Sequence, residues 1–195
     1  MTAEQRLADR RERLLSAGFI LFADAGFPTT TIERLCSMAR ISNRSFYECF
    51  PSGRDELMRA VYDRCVAETI TAVTEAVRSR PAAGLASRVE TGIRAYIDFV
   101  TRDRRRARIM HLEARRAGDA LIESRRRAVR TFTRLIEEYL SPLRPAASPD
   151  LHLLALGVLG AVQELLIEWV LSPQPPPIDR LTGTAVHIFR RSLLC

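Results

Sequence analysis

A short polar run is the part of this sequence whose residue types could do chemistry. It contains Ser42, Asn43, Arg44, Ser45 and Tyr47, and its asparagine is the sole one in the 195-residue chain. Hydroxyl, amide, guanidinium and phenol groups are the donors and acceptors that contact base edges and phosphates in DNA. The run therefore indicates a polar helix face that reads DNA, and a helical hairpin whose polar face meets only solvent is the alternative.

Apolar residues around this run predict how it is held. Phe46 and Phe50 are four residues apart, so on a helix they share one face and are buried together. Ser42 can cap a helix that runs from Asn43 to about Phe50. A shorter helix, capped by Thr30 or Thr31 and ending near residue 38, precedes it, and Ile41 closes the turn between the two. This arrangement is a helix–turn–helix, in which the second helix enters the major groove.

The rest of the chain is also predicted to be helical, because it shows no sustained alternation of period two and no hairpin turn. We expect an all-α fold of about nine helices. The helical blocks are 4–24, 30–38, 43–50, 54–79, 84–101, 103–117, 119–141, 149–171 and 179–193. Gly26 suits a left-handed helix end, and Ser148-Pro149 suits a helix start. The predicted domains are 1–54 and 80–195, linked by helix 54–79.

The charge is strongly basic but unevenly placed. The formal net charge is +7, and all 30 basic residues are arginine. Residues 1–65 hold ten arginines against nine acids, whereas residues 102–134 hold twelve against four. A basic balance suggests a polyanionic partner, yet the excess does not lie at the polar run. For the arginine runs 102–106 and 124–130 we expect a solvated face, with an acidic ligand or DNA as alternatives.

Several function classes find no support in the sequence. The cysteines, at positions 36, 49, 65 and 195, form neither a disulfide framework nor a zinc pattern. No nucleophile–base pair or phosphate loop indicates an enzyme, so we expect no catalytic residue, no metal and no cofactor. The N-terminal segment is too charged for a signal peptide. The sequence therefore favours a reduced, cytoplasmic protein.

One apolar block needs a separate test for membrane insertion. Residues 151–171 are long enough to span a bilayer. Gln163, Glu164 and Glu168 interrupt the block, and intramembrane acids are unfavourable. We therefore expect no membrane span, and we interpret the block as a helix buried on two sides within the protein.

The region 9–65 resembles the N-terminal domain of the tetracycline-repressor (TetR) family of transcriptional regulators. The resemblance rests on many co-spaced positions, with Gly26-Phe27 before the motif and an F-P-x-G-R-x-x-L run, Phe50 to Leu57, after it. The matching residues of the motif are Thr30, Thr31, Leu35, Cys36, Ala39, Ile41, Ser42, Ser45, Phe46, Tyr47 and Phe50. The remaining two thirds of the chain match this family only in helix number and length.

The resemblance implies a set of DNA contacts. Thr30 and Thr31 would donate to a phosphate at the start of the second helix, where backbone N–H groups suit an anion. Tyr47 and Arg54 would add further phosphate contacts. Ser42, Asn43, Arg44 and Ser45 would enter the major groove. Arg44 is the candidate for a bidentate bond to guanine.

Three residues depart from the family pattern. Arg40 stands where glycine is usual, so a positive φ there would strain it. Glu48 stands where histidine is common, and it must face a cytosine amino group, pair with an arginine or point away from DNA. Cys49 replaces a residue that is often aromatic or basic. These departures concern the operator sequence rather than the motif.

For the C-terminal region the resemblance implies a ligand-binding and dimerisation domain. Helices 149–171 and 179–193 would form the homodimer interface, with Leu159, Val162, Ile188 and Phe189 on the apolar faces that a monomer would expose. The ligand candidates are Tyr96, Phe99, Met110, His111, Phe132, Gln163, Glu164 and Trp169. The function implied is a repressor that a small-molecule inducer releases from a palindromic operator on double-stranded DNA. An all-α small-molecule-binding protein or enzyme without DNA function is the alternative.

Overall fold

The computed structural model describes residues 2–80, 84–140 and 150–193, and all regular structure within these ranges is helical. The helices are α1 (Ala3–Asp24), α2 (Ile32–Ala39), α3 (Asn43–Cys49), α4 (Arg54–Arg78), α5 (Leu85–Thr101), α6 (Arg104–Ala107), α7 (Ala114–Arg116), α8 (Ile122–Leu140), α9 (Leu151–Leu171) and α10 (Ile178–Leu193). A π-helical segment, Arg108–Glu113, joins α6 to α7 without a break, so the described residues form nine continuous helices. The predicted all-α fold is confirmed.

The first three helices pack around a small aromatic core. Leu14, Phe22 and Leu35 are fully buried there together with Phe46 and Phe50. The chain leaves α1 through a loop in which Gly26 has φ +90°, a left-handed conformation that glycine adopts without steric penalty. The burial of both α3 phenylalanines agrees with the four-residue spacing, and their polar neighbours are left outside.

The turn between α2 and α3 is tight and strained at one residue. Arg40 has φ 54° and ψ 52°, and it is the one non-glycine residue with positive φ in the described ranges. Its N–H donates to the carbonyl of Ser37, and the N–H of Ile41 donates to that of Cys36. The glycine that is usual in this family would adopt this positive φ without strain. Arginine has a Cβ, so the backbone strain that the sequence predicted for Arg40 is present.

Helix α4 connects the N-terminal bundle to the rest of the chain. It packs against α1 on one side and against α5, α8 and the π-helical segment on the other. Its buried residues include Leu57, Met58 and Val61 near α1, and Tyr62 and Val66 further along. Helix α4 therefore contacts both regions of the chain.

Helices α5, α8, α9 and α10 form the second bundle. Asp150 caps α9, and its carboxylate accepts from the N–H of His152 at 2.8 Å. The predicted start signal, Ser148-Pro149, lies outside the described residues. The prediction that a monomer exposes Val162 and Phe189 is wrong, because both are buried inside this bundle. Helices α9 and α10 pack on each other within one chain.

Candidate nucleic-acid interface and ligand cavity

Helix α3 presents its N-terminal half to solvent. Ser42, Asn43 and Arg44 are exposed, and the Tyr47 side chain is 50% exposed despite its size. Ser42 caps the helix, and its hydroxyl oxygen accepts from the N–H of Ser45 at 3.2 Å. The buried Phe46 fixes the rotation of the helix, so its polar side points away from the protein. An exposed polar half is what the sequence predicts for a base-reading helix. Within the run Ser42–Tyr47, Ser45 alone of the five predicted contacts is half-buried.

Glu48 lies between two arginines on this surface. Its carboxylate accepts from Arg10 at 3.1 Å and from Arg44 at 3.3 Å. Of the three orientations that the sequence left open for Glu48, the structure shows pairing with arginine. The Arg44 side chain is 91% exposed, so this pair is held only loosely in water. Arg44 is therefore free to exchange Glu48 for a base edge.

Thr30 does not have the predicted role. Its side chain is fully buried, and its hydroxyl oxygen lies 2.8 Å from the carbonyl oxygen of Gly26 and 3.2 Å from that of Leu21. Burying the hydroxyl on these carbonyls closes the loop after α1, so it is not available to a phosphate. Thr31 is exposed and caps α2, accepting from the N–H of Arg34 at 3.3 Å. Of the two threonines, Thr31 alone is exposed at the start of α2.

Arg54 is engaged by the same loop. Its guanidinium donates to the carbonyl of Thr30 at 2.8 Å and lies 4.3 Å from the ring centroid of Phe27. These contacts fix the loop that leads into α2. The expected phosphate contact would have to use the remaining N–H groups of a half-buried side chain, so the first role of Arg54 in this structure is to position Thr31.

A cavity of about 520 Å³ opens into the second bundle, between α4, α5, α8, α9, α10 and the π-helical segment. This volume lies in the range of small-molecule sites. Five of the predicted ligand residues line it: Tyr96, Met110, His111, Phe132 and Gln163. Most of the other lining residues are apolar, including Val66, Ile93 and Phe189.

The other three predicted ligand residues lie elsewhere. The ring of Phe99 packs against the guanidinium of Arg106 at 4.2 Å. Glu164 is exposed and pairs with Arg115 at 2.7 Å. Trp169 is buried beside Arg104, 5.5 Å from its guanidinium. Helical periodicity turns these three side chains away from the cavity, so the prediction was wrong for them.

A neutral polar pair stands inside the cavity. The hydroxyl of Tyr96 and Nε2 of His111 are 3.3 Å apart, and Tyr96 also packs edge-on against Phe132 at 5.3 Å. Burial lowers the pKa of His111 to about 3, with a smaller contribution from the charge of Arg115. Burial raises the pKa of Tyr96. The pair therefore offers hydrogen bonds without charge at neutral pH.

The sequence did not single out five arginines that also line the cavity. They are Arg88, Arg115, Arg125, Arg126 and Arg130. Three of them belong to the run 124–130, for which a solvated face was expected and an acidic ligand was an alternative. The four-residue spacing of Arg126 and Arg130 along α8 was the available signal, and arginine's high frequency in this chain obscured it.

A buried carboxylate links the second bundle to the loop after α1. Glu113 is fully buried, and it accepts from the backbone N–H of Phe27 at 2.8 Å and from Arg116 at 3.0 Å. Arg108 donates to the carbonyl of Ala23 at 2.8 Å. Both residues belong to the π-helical segment that carries Met110 and His111 into the cavity. π-Helical turns of this kind are frequent at functional sites.

The described residues also bear on metal binding and on membrane insertion. Among the described residues, no group of three or more His, Cys, Asp or Glu side chains could hold a metal ion. One described helix, α9, is long and apolar enough to cross a membrane, and 33% of its most apolar stretch is buried inside the chain. Core helices of proteins that do not enter membranes also meet this criterion.

Comparison with known proteins agrees with these observations. Residues 14–61 match the model of the bacterial regulatory proteins of the tetR family. No curated protein matches the chain in sequence.

Among solved structures, the fatty acid degradation regulator FadR from Bacillus halodurans has a TM-score of 0.79 at 12% identity, over 92% of this chain and 93% of that one. FadR from Bacillus subtilis, solved in complex with stearoyl-CoA, has a TM-score of 0.79 at 14% identity, over 91% and 96%. A tetR-family regulatory protein from Rhodococcus RHA1 has a TM-score of 0.70 at 20% identity, over 94% and 96%. The likeness in fold thus extends over almost the whole chain. The chain therefore carries the N-terminal helix–turn–helix domain of the TetR family and has the fold of that family's transcriptional regulators.

Proposed function

We propose that this protein is a ligand-responsive transcriptional repressor that binds a palindromic operator as a homodimer. The observation that carries the proposal is the exposed polar half of α3, held outward by the buried Phe46 and Phe50. Two copies related by a two-fold axis would place their α3 helices in successive major grooves, about 34–36 Å apart. The domains would be 1–54 and 80–195, with α4 as the link between them.

The homodimer would form through α9 and α10. The face of α9 around Gly157 and Gly160 is exposed, and apart from the helix's own backbone no atom of the described residues lies within 4 Å of a Cβ added at either glycine. Leu153, on the same face, is 63% exposed. An uncovered apolar helix face with small residues suits close packing against its own copy. A buried interface also accounts for the apolar character of α9 without a membrane, in keeping with a cytoplasmic regulator.

The release mechanism would run through the π-helical segment. A ligand in the cavity contacts Met110 and His111, and the same segment holds the loop after α1 through Glu113 and Arg108. A ligand that binds two arrangements of this segment unequally shifts the population between them. The arrangement favoured by the ligand would separate the two α3 helices incorrectly for the operator.

The test is selection of a binding site from a pool of random DNA duplexes, followed by fluorescence anisotropy of the selected duplex. We expect an inverted repeat whose half-sites lie one helical turn apart, and binding that weakens steeply with salt. Failure to enrich any sequence would contradict the proposal and favour the alternative, an all-α small-molecule-binding protein or enzyme that has no DNA function. The stearoyl-CoA complex of Bacillus subtilis FadR supports a small-molecule role for the cavity but names no ligand for this chain.

A further inference from the structure

The charged side chains of the cavity wall are all of one sign. Among the described residues that line the cavity, five are arginine and none is aspartate or glutamate. Arginine is abundant throughout the chain, so the number of arginines alone decides nothing. The absence of any carboxylate from the wall does decide something, because the lining arginines then meet no opposite charge within the cavity itself. A cationic ligand would meet only like charge here, whereas an anionic ligand would meet opposite charge.

Two of the five arginines are already neutralised by acids outside the wall. Arg115 pairs with Glu164 at 2.7 Å, and Arg130 pairs with Glu123 at 2.6 Å. Arg125 and Arg126 have no hydrogen bond or ion pair to any other described residue. The free positive charge of the cavity therefore comes from the first half of α8 and from Arg88 on α5.

Arg88 carries the clearest sign of a missing partner. Its Nε is buried and has no hydrogen-bond acceptor among the described residues. The guanidinium lies 5.5 Å from the ring centroid of Tyr139, which orients it without satisfying its donors. A buried donor left without an acceptor is unfavourable by the free energy of its lost hydration. A ligand oxygen at this point would remove that penalty.

The neutral Tyr96–His111 pair in the cavity wall favours a ligand whose body is uncharged. His111 is uncharged at neutral pH, so it neither adds positive charge nor repels an apolar ligand. Tyr96 and His111 can give a single hydrogen bond to a carbonyl or hydroxyl on the ligand body. Val66, Ile93 and Phe189 supply the apolar surface around them.

We infer that the cavity takes an amphipathic anion, in which an apolar body fills the bundle and one carboxylate or phosphate headgroup is bound by Arg88. The inference rests on the proposed role of the cavity as the ligand site of the regulator. Arginine suits this task because its planar fork of N–H donors matches the oxygens of both headgroups. Arg126 is more exposed than Arg88 and would attract the anion rather than hold it.

The test is calorimetric titration of the whole protein with four probes that share one chain: dodecanoate, dodecyl phosphate, dodecanol and dodecyltrimethylammonium, all below micelle-forming concentrations. We expect at least one of the two anions to bind at least tenfold more tightly than the alcohol and the cation. The anion that binds more tightly identifies the headgroup. Binding of the alcohol or the cation as tightly as the better anion, or no binding of either anion, would overturn the inference.

Variants locate the headgroup. Arg88→Gln should weaken binding of the better anion about tenfold and leave dodecanol binding unchanged, which also shows that the cavity is intact. Arg94→Gln is the matched control, because Arg94 lies on the same helix as Arg88 but pairs with Glu90 outside the cavity. Unchanged anion binding in Arg88→Gln would overturn the assignment. Operator binding without ligand is measured separately, so failure of the DNA function is distinguished from failure of the anion site.

Discussion

The carboxylate of Glu113 accepts a hydrogen bond from the backbone N–H of Phe27 at 2.8 Å, across 86 residues of sequence. The acceptor is fully buried, and the donor lies in the loop that leads from α1 to the helix–turn–helix. One turn earlier, Met110 and His111 face the ligand cavity. We therefore expect a shift of this short segment to act on both the cavity and the loop that leads to the helix–turn–helix.

Replacing Glu113 with alanine should uncouple the two sites. The N–H of Phe27 would lose its acceptor, so the free energy of unfolding should fall by about 1–3 kcal/mol. The ratio of operator dissociation constants with and without a cavity ligand should fall toward one. Glu90→Ala, which breaks an exposed i,i+4 pair with Arg94, is the control and should change stability by about 0.5 kcal/mol or less. A ratio equal to that of the wild type would contradict the coupling role of Glu113.

Arg40 offers a test of the strained turn. Arg40→Gly removes the Cβ that makes φ 54° unfavourable, so the protein should become more stable by about 0.5–1 kcal/mol in urea unfolding. Arg34→Gly is a control of opposite sign, because Arg34 is exposed within α2 and glycine there should lower stability by about 1 kcal/mol. Destabilisation by Arg40→Gly would mean that the arginine side chain has a stabilising contact that outweighs the strain.

Local patterns in the sequence were enough to predict the helix–turn–helix. The spacing of Phe46 and Phe50 fixes which side of α3 is buried, and the Ser42 cap fixes where α3 begins. These are properties of residues within one turn of each other. The helix count and the approximate boundaries follow from the same kind of periodicity and from prolines and glycines between the blocks.

Such local patterns could not predict the contacts that depend on tertiary packing. Nothing next to Thr30 in the sequence shows that its hydroxyl is bonded to the carbonyls of Leu21 and Gly26, which lie nine and four residues before it. Glu113 stands among arginines in an ordinary helical block, and its backbone partner Phe27 lies 86 residues earlier, in the loop after α1. Trp169 was a plausible cavity residue by type. Only the packing of α9 against its neighbours decides which face of that helix meets the cavity, and Trp169 lies on another face. Side chains that depend on tertiary packing were therefore the ones missed.

The base-reading role of Arg44 predicts a loss of specificity. Arg44→Ala should weaken operator binding by about 1–3 kcal/mol and relax the preference at one base pair in each half-site. Tyr47→Phe, which removes only the exposed phenol hydroxyl, should weaken binding to all sequences alike. The measurement is anisotropy with a panel of single-base operator variants. If Arg44→Ala binds every variant as the wild type does, α3 does not read bases through this residue.

The buried imidazole of His111 predicts a pH dependence of stability. Its pKa is about 3 in the folded protein against about 6.5 when unfolded, so the unfolded chain binds the extra proton first. Its contribution to stability is therefore complete above pH 6.5 and declines as the pH falls toward 3, by up to about 1.4 kcal/mol per pH unit.

Urea unfolding of the wild type and of His111→Gln at pH 7.5 and pH 4.5 would measure this effect. Between these two values the wild type should lose roughly 2.7 kcal/mol more than the variant. His187→Gln, on the exposed side of α10, should behave as the wild type does. Equal losses in the wild type and in His111→Gln would show that the imidazole is hydrated in solution.

The exposed glycines of α9 allow dimer formation to be tested without disturbing the chain's own packing. Gly157→Arg has open space around it in one protomer, and arginine favours a helix more than glycine does, by up to about 1 kcal/mol. The isolated chain should therefore fold at least as well as the wild type. In the proposed interface, the same arginine would place a charge and a long side chain between two closely packed α9 helices.

We expect sedimentation velocity at micromolar concentration to give a dimer for the wild type and a monomer for Gly157→Arg. Operator binding should be lost with the monomer, although α3 is unchanged. Ser87→Arg, an exposed position on α5 away from α9, is the matched control and should remain a dimer that binds the operator. A wild type that sediments as a monomer, or a Gly157→Arg variant that stays dimeric, would place the interface somewhere other than this face of α9.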